Sequence, residues 1–128
     1  MEAGCKIQFH RLNHVTIAVP AGEHDRVRAF YGGVLGLKEL ERPAQLRAVY
    51  DIIWFECAGI QIHIDLTPNC FVPQGNRHFA MEVRAIAEVR RHLEANGVTI
   101  LEAVPIPGKV WFYALDPFGN MIEFLEFK

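Results

Sequence analysis

Leu12-Asn13-His14-Val15-Thr16-Ile17-Ala18-Val19 alternates polar or small residues with branched apolar ones, the pattern of a strand buried on one face. Side chains two apart share a face. His14, Thr16 and Ala18 therefore point one way, and Val15, Ile17 and Val19 point the other, into apolar packing. Pro20-Ala21-Gly22 breaks the strand. The segment 23–34 then sets Val27, Phe30, Tyr31 and Val34 at helical spacing, and Gly36 supplies the left-handed conformation that ends a helix. Three strand-like segments follow at 37–41, 47–57 and 60–66, the last two joined by a turn at Ala58-Gly59. The first half reads as strand, helix and three strands.

The second half repeats that order. Residues 78–83 alternate again, and 85–96 favour a helix with Ile86, Val89 and Leu93 at core spacing and Gly97 as its cap. Strands are expected at 98–102, 109–115 and 121–127. Between the last two lies Asp116-Pro117-Phe118-Gly119-Asn120, a turn in which proline fixes one φ while glycine and asparagine accept positive φ. Two βαβββ copies predict an α+β fold of paired modules forming a half-open barrel around a central site. The expected organisation is one domain over 1–128, with modules at about 11–66 and 78–127 and a linker at about 67–77.

The composition fits this size and excludes some partners. Of 128 residues, 51% are hydrophobic and 22% charged, enough apolar surface for a core without staples. Thirteen basic against fifteen acidic residues leave a net charge of −2, which argues against a nucleic-acid surface. No run reaches the roughly 18–20 apolar residues of a membrane span, and residues 1–10 lack the apolar stretch of a signal peptide. Cys5, Cys57 and Cys70 are odd in number and widely spaced. They fit neither a disulfide framework nor a zinc knuckle and are read as idle thiols in a reducing cytoplasm.

The chemistry points to three residues. His78 begins the first strand of the second half, in the place His14 holds in the first, 64 positions earlier. Glu123 lies between apolar Ile122 and Phe124, where a lone carboxylate is costly unless paired, protonated or metal-bound. Two imidazoles and a carboxylate suit Fe, Mn, Zn, Ni or Co as a divalent ion. Three protein ligands would also leave positions open for water and a small-molecule substrate. Trp54 and Trp111 are expected on the cavity face with Thr16 and Gln61, as substrate-binding candidates. Arg26, Arg28, Arg90, Arg91 and His92 are expected on solvated helix faces.

These features together resemble the vicinal oxygen chelate superfamily, which includes glyoxalase I, extradiol dioxygenases, fosfomycin-resistance enzymes and bleomycin-resistance proteins. The resemblance rests on residues 12–19, on Phe30-Tyr31 leading to Leu35-Gly36-Leu37, and on Gln61-Ile62-His63-Ile64. It continues through Arg77-His78-Phe79-Ala80 and Asp116 to Glu123. It implies metal ligation by His14, His78 and Glu123, and a homodimer whose barrels take modules from two chains or from one. A fourth ligand, acidic or amide in glyoxalase-like members, finds its nearest match in His63.

Four activities compete under that resemblance. An extradiol-type dioxygenase would use the two-His, one-carboxylate Fe²⁺ set, with His63 as acid/base and Tyr113 beside the metal. A glyoxalase-type lyase or isomerase would use Glu123 to abstract a carbon-bound proton, with His63 in place of the expected acidic ligand. A fosfomycin-type transferase is disfavoured, because residues 103–110 lack the serine-rich loop of that group. A bleomycin-resistance-type protein would sequester its ligand without turnover, and such proteins lack the full ligand set kept in this chain. The sequence leans to the dioxygenase, with the lyase or isomerase close behind.

Overall fold

The computed structural model describes residues 4, 6–71, 73 and 75–128; Cys5 lies outside them. Module one runs β1 (His14–Pro20), α1 (His24–Val27, continuing as a π-helical segment Arg28–Val34), β2 (Lys38–Leu40), α2 (Ala44–Arg47), β3 (Ile52–Cys57) and β4 (Ile60–Thr67). Module two runs β5 (His78–Glu82), α3 (Ile86–Ala95), β6 (Ile100–Glu102), β7 (Lys109–Leu115) and β8 (Met121–Phe127). Each module folds as a four-stranded mixed sheet with the same order, β1-β4-β3-β2 and β5-β8-β7-β6. The first strand of each pairs in parallel with the last, and the other pairs are antiparallel. Neither sheet closes on itself, so the architecture is the paired βαβββ fold that the repeat predicts.

Two local departures have physical causes. Residues 47–51 are not strand: Pro43, at φ −54° and ψ 140°, launches the single α-helical turn of α2, and β3 begins only at Ile52. Fixed proline geometry favours such a start. The first helix also widens after Val27, where the Leu35 amide donates to the Phe30 carbonyl at 2.9 Å, a five-residue step. Gly36 at φ +72° then lets the chain turn out of it.

The apolar faces of both sheets meet the helices in one shared core. Val19, Val27, Tyr31, Phe55, Ile62 and Ile64 of module one join Phe112, Ala114 and Ile122 of module two in a single buried cluster. Burying each large side chain contributes about 1.5–3 kcal/mol. A polar knot reinforces the join. The Tyr31 hydroxyl donates to Asp116 Oδ2 at 2.7 Å, and Asn120 Nδ2 donates to the Ala18 carbonyl at 3.1 Å. Asp116 also accepts from the Phe118 and Asn120 amides, so the turn between β7 and β8 is held rigid. Burial, reinforced by the neighbouring Asp116 carboxylate, raises the Tyr31 phenol well above its ordinary pKa, keeping it a donor.

Because the core lies on the helix side, the opposite sheet faces are open. His14, Thr16 and Ala18 of β1 are exposed, as are His78 and Ala80 of β5. Among the described residues, no helix is long and apolar enough to cross a membrane.

Candidate active site

These sheet faces carry His14, Thr16, Trp54, Gln61, His63, His78, Trp111, Tyr113 and Glu123, and strand register organises them. In module one, Thr16, His63 and Trp54 lie side by side across β1, β4 and β3. In module two, Ala80, Glu123 and Tyr113 lie side by side across β5, β8 and β7. Gln61 sits opposite His14, as Met121 sits opposite His78. His63 is thus the internal counterpart of Glu123, and Trp54 that of Tyr113.

The His63 ring is sandwiched between two aromatic faces. Its centroid is 4.0 Å from His14 at 15° and 4.4 Å from Trp54 at 4°. Nε2 meets Gln61 Oε1 at 2.8 Å, so its polar partner is a side chain two residues away on the same strand face. Only 7% of His63 is exposed. Burial, with the neighbouring His14, pushes its pKa down to about 4, so the ring is neutral at pH 7.

Glu123 is 6% exposed, and of the alternatives open to a carboxylate buried there the structure shows pairing. His78 Nε2 lies 3.2 Å from Oε1, and Lys109 Nζ lies 3.0 Å from Oε2. Lys109 pairs in register with Phe127, not with Glu123. Its stem must therefore run along the sheet, and its ammonium passes 4.0 Å from the Trp111 ring centroid. Trp111 is itself tied by its indole N–H to the Val104 carbonyl at 3.0 Å. Tyr113 packs edge-on to His78 at 5.1 Å.

Histidine orientation tests whether these residues suit a metal. His78 Nδ1 lies 2.7 Å from the Asn76 carbonyl. That oxygen can only accept, so Nδ1 carries the proton and Nε2 of the neutral ring keeps its lone pair. Nε2 and Glu123 Oε1 converge at 3.2 Å, a spacing that either a proton or a shared cation can bridge. His14 repeats the device, with Nδ1 2.8 Å from Asn13 Oδ1. Holding the far nitrogen in this way is how proteins orient ligating histidines. The donor set fits a divalent ion.

The set is nevertheless split within one chain. Among the described residues, no three His, Cys, Asp or Glu side chains come together closely enough to hold a metal. Two pairs stand apart: His14 with His63, and His78 with Glu123. A cleft of about 540 Å³ at the β1–β5 seam is lined by Thr16, Ala18, Arg77, His78, Phe79 and Met121. Asn13 and Asn76 are site neighbours that sequence reasoning did not assign, whereas the strand parity that Lys109 shares with Trp111 and Tyr113 already allowed all three to line one wall.

The chain belongs to the Glyoxalase/Bleomycin resistance protein/Dioxygenase superfamily, whose family model matches residues 11–124. Among solved structures it is similar to a glyoxalase family protein from Bacillus anthracis, at 34% identity and TM-score 0.88, covering 97% of this chain and 100% of that one. A glyoxalase/dioxygenase from Nostoc punctiforme shares the fold at 22% identity and TM-score 0.78, covering 98% and 99% of the two chains. The genomically encoded fosfomycin resistance protein of Listeria monocytogenes does so at 18% identity and TM-score 0.76, over 91% of each chain. No match was found among curated proteins.

Proposed function

We propose that this protein is a divalent-metal-dependent enzyme acting on a small molecule with two vicinal oxygens, at a site shared by two copies of the chain. The observation that carries this reading is the convergence of His78 Nε2 and Glu123 Oε1 at 3.2 Å, with Nδ1 already committed to Asn76. His14 of one copy would complete the set with His78 and Glu123 of the other, because one chain holds no such trio among its described residues. Bound there, the ion would supply Lewis acidity and a template for both substrate oxygens.

The chain's own residues do the rest. Asn13 and Asn76 fix the tautomers of His14 and His78. Trp54 and Trp111 wall the open faces, with Thr16 and Gln61 as polar contacts for substrate. Tyr113, edge-on to His78, is placed to steer a proton on a bound diol. A two-His, one-carboxylate set favours ring-cleaving dioxygenase chemistry with iron. A second reading, a glyoxalase-type lyase or isomerase, is favoured by His63. Its register match to Glu123 and its neutral ring suit a fourth ligand better than an acid/base, which works best with a pKa near the operating pH.

Mixing tests the shared site. His14→Ala and Glu123→Ala homodimers should each fail to take up metal. Equilibrated mixtures should recover about a quarter of the wild-type metal content, since half the dimers are hybrids with one intact site each. No recovery in demonstrated hybrids would overturn the sharing. A wild-type protein that takes up no Fe²⁺, Ni²⁺ or Zn²⁺ would favour sequestration without turnover. Catechols and hemithioacetals then separate the two enzyme readings.

A further inference from the structure

Lys109 is an unusual neighbour for a metal-binding carboxylate. Its side chain is only 20% exposed, and it holds the oxygen of Glu123 that His78 does not contact. Were Glu123 to ligate a cation through Oε1, its single negative charge would be shared and Lys109, on Oε2, would be left only partly neutralised. A poorly hydrated ammonium beside a second positive centre is then unfavourable unless another anion arrives. The Trp111 face keeps the ammonium in place, because a cation over an indole retains part of its stabilisation. Retreat to bulk water is therefore not the only course open to it.

We propose that Lys109 is a specificity-determining residue that exchanges Glu123 for an oxyanion of the substrate. The substrate would then carry a carboxylate or phosphate-type group as well as its vicinal oxygens. Lys109 Nζ starts 3.0 Å from the carboxylate that would hold the ion, so that anionic group would lie close beside the chelating oxygens. Module two thus selects charge, while Trp54 and His63 of module one offer flat aromatic surface. This inference rests on the proposed metal-dependent reading and narrows its substrate class.

The test compares wild type, Lys109→Gln and Lys109→Arg, each reconstituted anaerobically with Ni²⁺. Calorimetry reads metal uptake and then binding of catechol, 2,3-dihydroxybenzoate and inorganic phosphate. The two diols offer the same vicinal oxygens and differ by one adjacent carboxylate. Wild type should prefer the carboxylated diol by about tenfold or more, the scale of one charge-assisted hydrogen bond. Lys109→Gln should lose that preference and weaken phosphate, with Ni²⁺ affinity equal or higher, because a competitor for Glu123 has gone. Lys109→Arg should restore most of the preference. An unchanged preference in Lys109→Gln with normal Ni²⁺ uptake would overturn this inference alone. Loss of Ni²⁺ in Lys109→Gln would also overturn it, showing that the lysine only supports Glu123. Absence of Ni²⁺ uptake by wild type would overturn both the inference and the reading beneath it.

Discussion

The two modules share a fold and a register yet present opposite chemistry at equivalent places. Where module one stacks flat rings, with Trp54, His63 and His14 in successive layers, module two sets a carboxylate between a histidine and a lysine. Among the described residues, neither face holds a complete donor set. The difference teaches that a duplicated scaffold can divide its labour: one copy supplies a flat aromatic wall and one imidazole, while the other supplies the charge.

Exchanging chemistry at the equivalent positions should expose the asymmetry most strongly. Glu123→Gln is expected to lower Ni²⁺ or Fe²⁺ affinity by orders of magnitude. It should also cost about 3 kcal/mol of stability, because it leaves the largely buried Lys109 ammonium without its anion. His63→Gln, at the matching place, should lower metal affinity far less. Calorimetric titration of both variants checks this, and equal losses would erase the distinction between the modules.

Acid should strike module one first. The pKa of His63 is lowered on folding, so between pH 6.5 and about 4 the unfolded chain binds more protons than the folded one. Stability should therefore fall as pH drops through that window and level off below it, by about 1–3 kcal/mol. His63→Phe keeps a ring in the stack but cannot titrate, and should remove that part of the slope. Denaturant melts of both proteins across the window give the comparison.

The smallest expected effect concerns the helices. In module two, Glu126 of β8 accepts from the Ala85 and Ile86 amides at the start of α3, at 3.2 and 3.1 Å, whereas α1 makes no side-chain cap bond. Glu126→Gln should lower the melting temperature only slightly in thermal melts. A change of comparable size from Glu23→Gln, at the start of α1, would blur this last contrast.

Much of the frame could be read from local pattern. Strands β7 and β8 fall where alternation places them, because alternation and the Asp116–Asn120 turn act within a few residues. The widened helix at 28–34 and the short α2 were not legible. Both come from packing and proline geometry, which a periodic pattern does not encode. The repeat also changes spacing along the chain: His14 and His78 are 64 positions apart, whereas His63 and Glu123 are 60. A single period therefore hides the correspondence that register reveals. The Lys109–Glu123 pair was equally hidden, since it depends on the path of a flexible stem across Trp111. Nor could alternation say that His14 and His78 would stand apart, because that follows from how the two sheets turn their helix sides toward each other.

That inward-facing arrangement, locked by Tyr31 and Asp116, has a consequence for how the molecule comes apart. With one apolar cluster and one polar knot spanning both halves, neither half keeps a complete interior when the other opens. Heating should therefore produce a single transition seen alike by Trp54 and Trp111, one in each half. A chain severed between Asn69 and Gly75 should survive only while its two fragments remain associated, so the repeat is visible in the architecture but not in the melting curve.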